Sequence, residues 1–374
     1  MPEPVIVDAV RTPIGKRDGA LAGLKPVALL RHVMERLIQR SAIDPAWVDQ
    51  IVGGCVTQVG EQGLGVVRNA WLATGLDYTV GCTTVDVSCG SAQQANHLVS
   101  ALIQTGAIEI GIACGVESMS RVPVAANAPN GVDEHKLPDY PWDDPRGVQF
   151  GGAERIAQRQ GLSRKDLDEF GVLSQQRAAR AWAEGRYSRE VVVLDELRVD
   201  EGLRESTVDS LAGLKPVMRN GLHTAGTTSQ ISDGASAVLW MSRERAETLG
   251  LRPRARIRHQ VVTGADPYYL LDGPVLATSR ILCKSGMALS DMDLVEVNEA
   301  FAAVVLSWAQ HHHSDVDRVN VNGGAIALGH PMGATGARLI TTALHELERR
   351  DGQFALITMC CGGSQGTASI LERL

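Results

Sequence analysis

Hydrophobic positions along the chain follow two alternating rhythms. Short apolar runs predict buried strands over residues 4–10 (PVIVDAV), Gln50–Cys55 and Ile108–Cys114, and the first runs into the turn Arg11-Thr-Pro-Ile-Gly15. Apolar residues recurring every three or four positions predict helices over 26–41 (Leu29, Leu30, Val33, Leu37, Ile38), over 61–75, and from Gly90 through Ile103. Strand and helix taking turns predict an α/β protein with a largely parallel, helix-covered sheet.

From Met119 the rhythm breaks. Residues 121–148 are dense in Pro, Asn, Asp and Gly, which is long for an ordinary connection and predicts a functional loop or an oligomer contact. A charged helical segment follows over 152–184, with Ser163 ahead of Arg164–Glu169 as a helix start, and the tract 190–232 is irregular. The α/β pattern then resumes at Ser236–Trp240 and echoes the first half. Asp49–Gly54 matches Asp291–Glu296, Thr84–Cys89 matches Arg318–Gly323, and Ile110–Gly115 matches Leu356–Gly362. Two similar α/β units are expected, with one composite site at their junction.

Composition narrows the class. A chain of 374 residues, 44% hydrophobic but only 4% aromatic, predicts a well-packed enzyme of two or more domains. A net charge of −7 argues against nucleic-acid or membrane-surface binding, and no apolar run approaches the roughly 20 residues that span a bilayer. Seven widely spaced cysteines without a C-x-x-C fit a reducing compartment, and Met1-Pro-Glu-Pro lacks a signal-peptide pattern, so a cytoplasmic location is expected. The tract His311-His-His313 has no acidic or cysteine ligands at partner spacing and is expected to end a helix, with no metal bound.

Candidate chemistry sits where strands turn into helices. In Val85-Asp-Val-Ser-Cys-Gly-Ser-Ala, a β-leaning run stops at Cys89 and a helical one begins, so the unpaired N–H groups of the helix end would favour its thiolate. His330 lies in the glycine-dense stretch Asn322–Gly336, between Gly329 and Pro331, placed to serve as the base for a cysteine nucleophile. Cys360-Cys361-Gly362-Gly363 ends another apolar strand, bringing a second thiol and backbone N–H groups able to form an oxyanion hole. Asn298 marks a further strand-to-helix corner, where an N-cap is the alternative role.

Ser-Cys89-Gly-Ser, Asn298-Glu-Ala-Phe-Ala302, Gly323-Gly-Ala-Ile-Ala-Leu-Gly-His-Pro331 and Cys360-x-Gly-Gly-x-x-Gly366 occur in this order and together closely resemble the thiolase family. Arg11–Gly15 and Thr224–Ser229 extend the likeness over the whole chain, and the second reactive cysteine separates it from the ketoacyl synthases. The resemblance implies the thiolase fold: two similar α-β-α half-domains forming a five-layered α-β-α-β-α core with an inserted loop domain. The N-terminal half-domain would span 1–118 and 232–245, the loop domain covering the active site 119–231, and the C-terminal half-domain 246–374. It implies that Cys89 carries the acyl group, that His330 activates it, and that Cys360 is the acid/base. Backbone N–H groups of Cys89 and Gly362 would hold one oxyanion, and His330 with an Asn298-bound water the other. Coenzyme A would be a co-substrate, with no permanently bound cofactor, contacted by Arg204, Ser210, Ala225, Ser229, Ala300 and Phe301. The family also implies a homodimer or homotetramer.

Departures from the family pattern cluster at the acyl pocket: Gln149-Phe150-Gly151 stands where many members have His-Met-Gly, and Leu270-Leu271 where they have Met-Gly. These resemble the thiolases of actinobacterial steroid side-chain degradation and imply a bulky or branched 3-ketoacyl-CoA. Degradative cleavage to acetyl-CoA and a shortened acyl-CoA is the expected reaction. The alternatives are condensation to acetoacetyl-CoA with the same residues, a non-catalytic acyl-CoA-binding subunit, and a redox role for Cys360-Cys361.

Overall fold

The structure, a computed structural model, describes residues 1–131, 133, 134 and 136–374. Val132 and His135, within the loop expected to make an oligomer contact, lie outside the described residues. The chain opens with β1 (Pro4–Arg11), the short β2 (Gly15–Lys16), α1 (Pro26–Ser41), β3 (Gln50–Gly54), α2 (Val66–Ala73), β4 (Gly81–Val85), α3 (Ser91–Gln104) and β5 (Ile110–Ser118). Residues 119–231 add α4 (Gln149–Arg159), α5 (Arg164–Ala183) and α6 (Val208–Ala212), and among the described residues no strand of the sheet. Then come β6 (Ser232–Ser242), α7 (Arg243–Thr248), β7 (Ala255–Gly264), α8 (Gly273–Ser285), β8 (Leu294–Val297), α9 (Ala302–His311), α10 (Ala325–Leu328), α11 (Met332–Arg350), β9 (Phe354–Cys361) and β10 (Gln365–Arg373).

The strands run in the order β4-β3-β5-β6-β1, continue through the single pair Ile6–Ala255, and finish β7-β10-β9-β8. In the first half β3 is parallel to β4 and β5, and β6 is antiparallel to β5 and β1. The second half repeats this: β8 is parallel to β9 and, through Val295 and Val319, to the segment entering the glycine-rich loop, while β10 is antiparallel to β9 and β7. Each echo in the sequence therefore falls on topologically equivalent positions. The sheet is mixed where a largely parallel one was expected. The reason is local for β10, which returns from β9 through a tight turn at Gly362–Ser364, and antiparallel neighbours need no crossover helix.

Three large apolar clusters pack the helices on the sheet. Leu29, Leu30, Val33 and Leu37 of α1 and Trp71 of α2 cover the outer face of the first half-sheet. Ala95 and Val99 of α3 and Ile340 and Leu344 of α11 fill the space between the halves, and α8 and α9 cover the outer face of the second through Ile281, Val304 and Trp308. Each such fully buried side chain contributes about 1.5–3 kcal/mol. The paired central helices approach closely because their N-terminal turns are built of small residues. A Cβ on Gly336 would lie 2.2 Å from the Gln93 nitrogen, and one on Gly115 would lie 2.1 Å from the Gly333 carbonyl oxygen. This packing sets the starts of α3 and α11 side by side.

Local chemistry shifts several element boundaries. The helix expected over 61–75 begins only at Val66, because Gly65 takes φ 73°. The charged stretch 152–184 is two helices, broken at Gly161 (φ 63°) and restarted by a capping box in which Ser163 and Asp166 satisfy one another's backbone. The strand expected to end at Cys114 runs to Ser118 and so carries Glu117 into the interior. All seven cysteines are unpaired. Among the described residues no helix is long and apolar enough to cross a membrane, and no three His, Cys, Asp or Glu side chains are grouped to hold a metal ion.

Candidate active site

The turn into α3 is strained and locally braced. Ser88 adopts φ 47°, the Asp86 carboxylate accepts its N–H at 2.7 Å, and the Ser91 hydroxyl donates to the Ser88 carbonyl at 2.5 Å. A non-glycine residue in this left-handed region costs about 1–3 kcal/mol and marks a corner held for a purpose. Cys89 follows, buried, with Gly90 behind it, where any Cβ would sit 2.5 Å from the Cys361 sulfur. The Gly362 N–H faces the Cys89 sulfur. Burial nevertheless pushes the Cys89 thiol up to about 12, with Glu117 and Asp86 adding to the rise against the pull of that N–H. Loss of solvent thus outweighs the pull toward thiolate expected of the helix end.

His330 precedes α11 and is almost fully buried. Its backbone N–H donates to the Gln230 carbonyl at 3.3 Å and to the Ser232 hydroxyl at 3.1 Å. Thr335 lies one turn on, and its hydroxyl donates to the Pro331 carbonyl at 2.9 Å. That uses its single proton, so at 2.7 Å from Nδ1 it accepts from the ring. The network therefore assigns the proton to Nδ1 and leaves the Nε2 lone pair facing the site, 3.4 Å from the Asn298 amide nitrogen. Burial, reinforced by the Arg338 charge, pushes the imidazole down to about 3, so it is neutral.

Asn298 stands at the end of β8, its N–H bonded to the Thr358 carbonyl on β9, while its buried side-chain oxygen has no partner. An orphaned amide oxygen beside an imidazole is a ready acceptor for a water or substrate N–H or O–H. Cys360, two residues beyond Thr358, is fully buried, and its thiol is pushed well above the usual range by burial and then by the charge of Cys89. The two sulfurs thus sense one another. Cys361 faces the other side of the strand, packed against Gly90 in the central layer with Cys89, whereas Cys360 belongs to the outer cluster around β8 and α9.

Two buried carboxylates that the sequence reading passed over hold this arrangement together. Glu117 accepts from the backbone N–H groups of Val56, Thr57 and Gly333 (3.0, 3.1 and 2.9 Å) and from Gln62, tying the loop after β3 to the start of α11. Glu299 accepts from Ser174, Asn320 and the Ile326 N–H (2.6, 3.0 and 3.1 Å) and so fixes the glycine-rich loop. An acidic residue inside an apolar strand, or beside Asn298, was the available signal. Thr335, five residues beyond His330, had only its hydroxyl to announce it.

Two cavities bear on the expected acyl and coenzyme A contacts. One, of about 510 Å³, is bounded by Ser88, Gln149, Phe150, Met332 and the loop residues Val124 and Val148. Phe150 meets Phe301 edge-on at 5.1 Å. Leu270 is buried in the same apolar cluster as Phe301, against which Phe150 packs, and its Cβ lies 3.1 Å from where a Gly152 side chain would begin. The other cavity, of about 600 Å³, is lined by Arg204, Ser210, Thr207, Leu203 and Gln175. Ala225 shapes it indirectly by accepting from the Arg204 guanidinium at 3.1 Å. Ser229 and Ala300 are joined by a 3.0 Å backbone bond, beside Phe301.

The thiolase N-terminal domain matches residues 4–244, and the thiolase C-terminal domain matches 251–373. The chain is similar to the steroid 3-ketoacyl-CoA thiolase FadA6 of Mycobacterium tuberculosis, 44% identical across 100% of this chain and 95% of that protein. It is 42% identical to a 3-ketoacyl-CoA thiolase of Aeromonas salmonicida, covering all of both chains. Among solved structures it resembles a Bacillus anthracis acetyl-CoA acetyltransferase (TM-score 0.91, 35% identity, 100% and 99% covered). It also resembles human mitochondrial 3-ketoacyl-CoA thiolase in complex with CoA (TM-score 0.90, 34% identity, 100% and 98% covered). With both domains matched nearly end to end, and with relatives above 40% identical over the whole chain, the chain belongs to the thiolase family, and it is an acyltransferase.

Proposed function

We propose that the protein cleaves a bulky 3-ketoacyl-CoA with coenzyme A, releasing acetyl-CoA and a shortened acyl-CoA. The observation that supports this is the 3.4 Å approach of Asn298 to the His330 ring, near a mostly apolar cavity of about 510 Å³ lined by Ser88 and Met332, which lie next to Cys89 and to the His330 turn, in a chain whose Cys89 and Cys360 influence one another's charge. Cys89 attacks the keto carbon while the Nε2 lone pair of His330 takes its proton. The thiol and imidazole both rest neutral, so proton transfer accompanies bond formation. The new oxyanion is received by the N–H groups of Cys89 and Gly362. Cys360 protonates the departing acetyl-CoA carbanion, then takes the proton of incoming coenzyme A as it attacks the acyl-Cys89 thioester. Asn298, through a bound water, and His330 stabilise the thioester oxygen of the acetyl half.

Coenzyme A is the co-substrate; Arg204 and Ser210 hold its nucleotide end in the 600 Å³ cavity, and Ala225, Ser229, Ala300 and Phe301 line the way inward. Residues 119–231 act as the loop domain, between half-domains at 1–118 with 232–245 and at 246–374. Gln149 and Phe150 shape the acyl pocket, whose size and apolar walls suit a ring-bearing, steroid-type group better than an acetyl group. We read the enzyme as a cytoplasmic homodimer or homotetramer, in keeping with its unpaired cysteines.

The test is a turnover panel of 3-ketoacyl-CoA esters combined with mass spectrometry of the trapped enzyme. The expected result is an acyl adduct on the Cys89 peptide, absent in Cys89→Ala, and a higher kcat/KM for ring-bearing esters than for acetoacetyl-CoA. An adduct elsewhere rejects the mechanism; a preference for acetoacetyl-CoA rejects the substrate class.

A further inference from the structure

The end of α11 remote from His330 borders a separate cavity of about 220 Å³. At a rise of about 1.5 Å per residue, Glu348 lies about 24 Å along the helix from Met332. The cavity forms where β1, the end of α1, the segment after α5, the lead-in to β7 and the last turns of α11 converge. Four arginines face it (Arg40, Arg189, Arg252 and Arg254) against two carboxylates, Asp8 and Glu348.

Both carboxylates are already paired with arginines. Arg254 donates Nη1 to Asp8 at 2.6 Å, and Nε and Nη2 to Glu348 at 2.8 and 2.9 Å. Arg40 reaches the same Asp8 oxygen at 2.9 Å, and Arg189 reaches Glu348 at 3.0 Å. Arg252, exposed, has no ion pair among the described residues. Four cations against two anions leave an excess of two positive charges, on a chain whose total is −7. The neighbouring His345 adds nothing, since burial pushes it down to about 3. Arg40 senses the crowding: after burial, Arg254 and Arg189 both push it down. In the same wall the Ser41 hydroxyl, on a side chain 7% exposed, has no hydrogen-bond partner.

We propose that this cavity binds a phosphate group, as the free anion or at the end of a small phosphate ester. The ligand's two negative charges equal the local excess, and its oxygens suit guanidinium forks. The volume admits the anion with a short organic stem. Its binding ties Arg40 of the first half to Arg189 of the intervening segment and to Arg252 and Arg254 ahead of β7, so it stabilises the assembled chain. The inference is independent of the acyl-CoA reading.

The experiment is a thermal titration of the intact protein with sodium phosphate at constant ionic strength, with parallel arms in glycerol 3-phosphate and sodium chloride. It is repeated on Arg189→Gln/Arg252→Gln, both exposed side chains outside the catalytic cluster, and on Arg204→Gln, which reports phosphate binding in the coenzyme cavity. Phosphate is expected to raise Tm saturably in the wild type and Arg204→Gln. The double variant, with unchanged basal turnover, should need about tenfold more, as loss of charge-assisted contacts dictates. Glycerol 3-phosphate acting below the phosphate concentration identifies an ester as occupant, and the reverse identifies the free anion; either supports the site. The proposal is overturned if the double variant titrates like the wild type, if Arg204→Gln abolishes the response, or if chloride reproduces it.

Discussion

Thr335 offers the sharpest test of how the imidazole is held. Its hydroxyl accepts the His330 Nδ1–H at 2.7 Å while donating to Pro331 at 2.9 Å, and both atoms are buried. Thr335→Val keeps the shape and removes both bonds. The Nδ1–H is then a buried donor without a partner, a loss of about 1–3 kcal/mol. The ring can recover only by turning or by moving its proton to Nε2, and either withdraws the lone pair that faces Asn298 and the substrate. If the whole penalty falls on the productive orientation, turnover drops by about 5- to 150-fold, at tenfold per 1.36 kcal/mol.

The assay is steady-state cleavage of a 3-ketoacyl-CoA with coenzyme A in excess. Since Thr335 touches neither cavity lining, kcat should fall with KM nearly unchanged. Thr335→Ser, which restores both bonds, should recover most of the rate. A valine variant within twofold of wild-type kcat would falsify the assignment of the Nδ1 proton to this hydroxyl.

Three further outcomes are expected. Arg204→Gln removes a half-exposed guanidinium from the 600 Å³ cavity and should raise KM for coenzyme A about tenfold at nearly constant kcat; an equal loss in kcat argues that Arg204 acts on the chemistry instead. Phe150→Ala removes the edge-on contact with Phe301 and a wall of the acyl cavity, and should lower kcat/KM for ring-bearing esters by about tenfold while sparing acetoacetyl-CoA; equal losses for both esters refute a role in selectivity. Glu296 is fully buried with neither oxygen hydrogen-bonded, and burial pushes it from 4.5 up to about 8, tempered by Arg338. Its folded pKa lies above the unfolded one, so its contribution to stability is complete below about 4.5 and is lost as pH rises through about 8. In Glu296→Gln that loss is gone, and the Tm difference from wild type should move in the variant's favour between about pH 6 and about pH 9; parallel melting curves across that range contradict it.

Much of the fold was legible because strands covered on both faces are written as apolar runs, and because the second half repeats the first at β3/β8 and β5/β9. The corner at Cys89 was legible for the same reason, since a β-leaning run met a helical one there. Protonation was not. Residue order reveals the helix end, which favours the thiolate, but not the burial that pushes the thiol the other way. Nor could spacing tell which of Cys360 and Cys361 faces which layer; that depends on the register of β9 against β10, with Cys360 opposite Gly366 and Cys361 opposite Gln365. Nor could the motif announce that Leu270 turns at φ 62° on its way into the cluster of Phe150 and Phe301.

The duplication explains why one site suffices for two halves. Each half-domain brings a parallel strand pair to the same edge and starts a central helix there, α3 in the first and α11 in the second. Gly115, Gly333 and Gly336 let those helices close to backbone contact, so their first turns share one pocket. The first corner carries a sulfur at residue 89, while the equivalent corner carries Gly323, opening the path along which the loop to His330 folds back. A side chain at Gly323, which takes φ 79°, would start 2.7 Å from the Ala178 Cβ and from the Ser174 carbonyl oxygen of α5. Divergence of the repeat, a cysteine in one copy and a bare backbone turn in the other, therefore follows from the inserted helix packing on the second corner and from the left-handed backbone there.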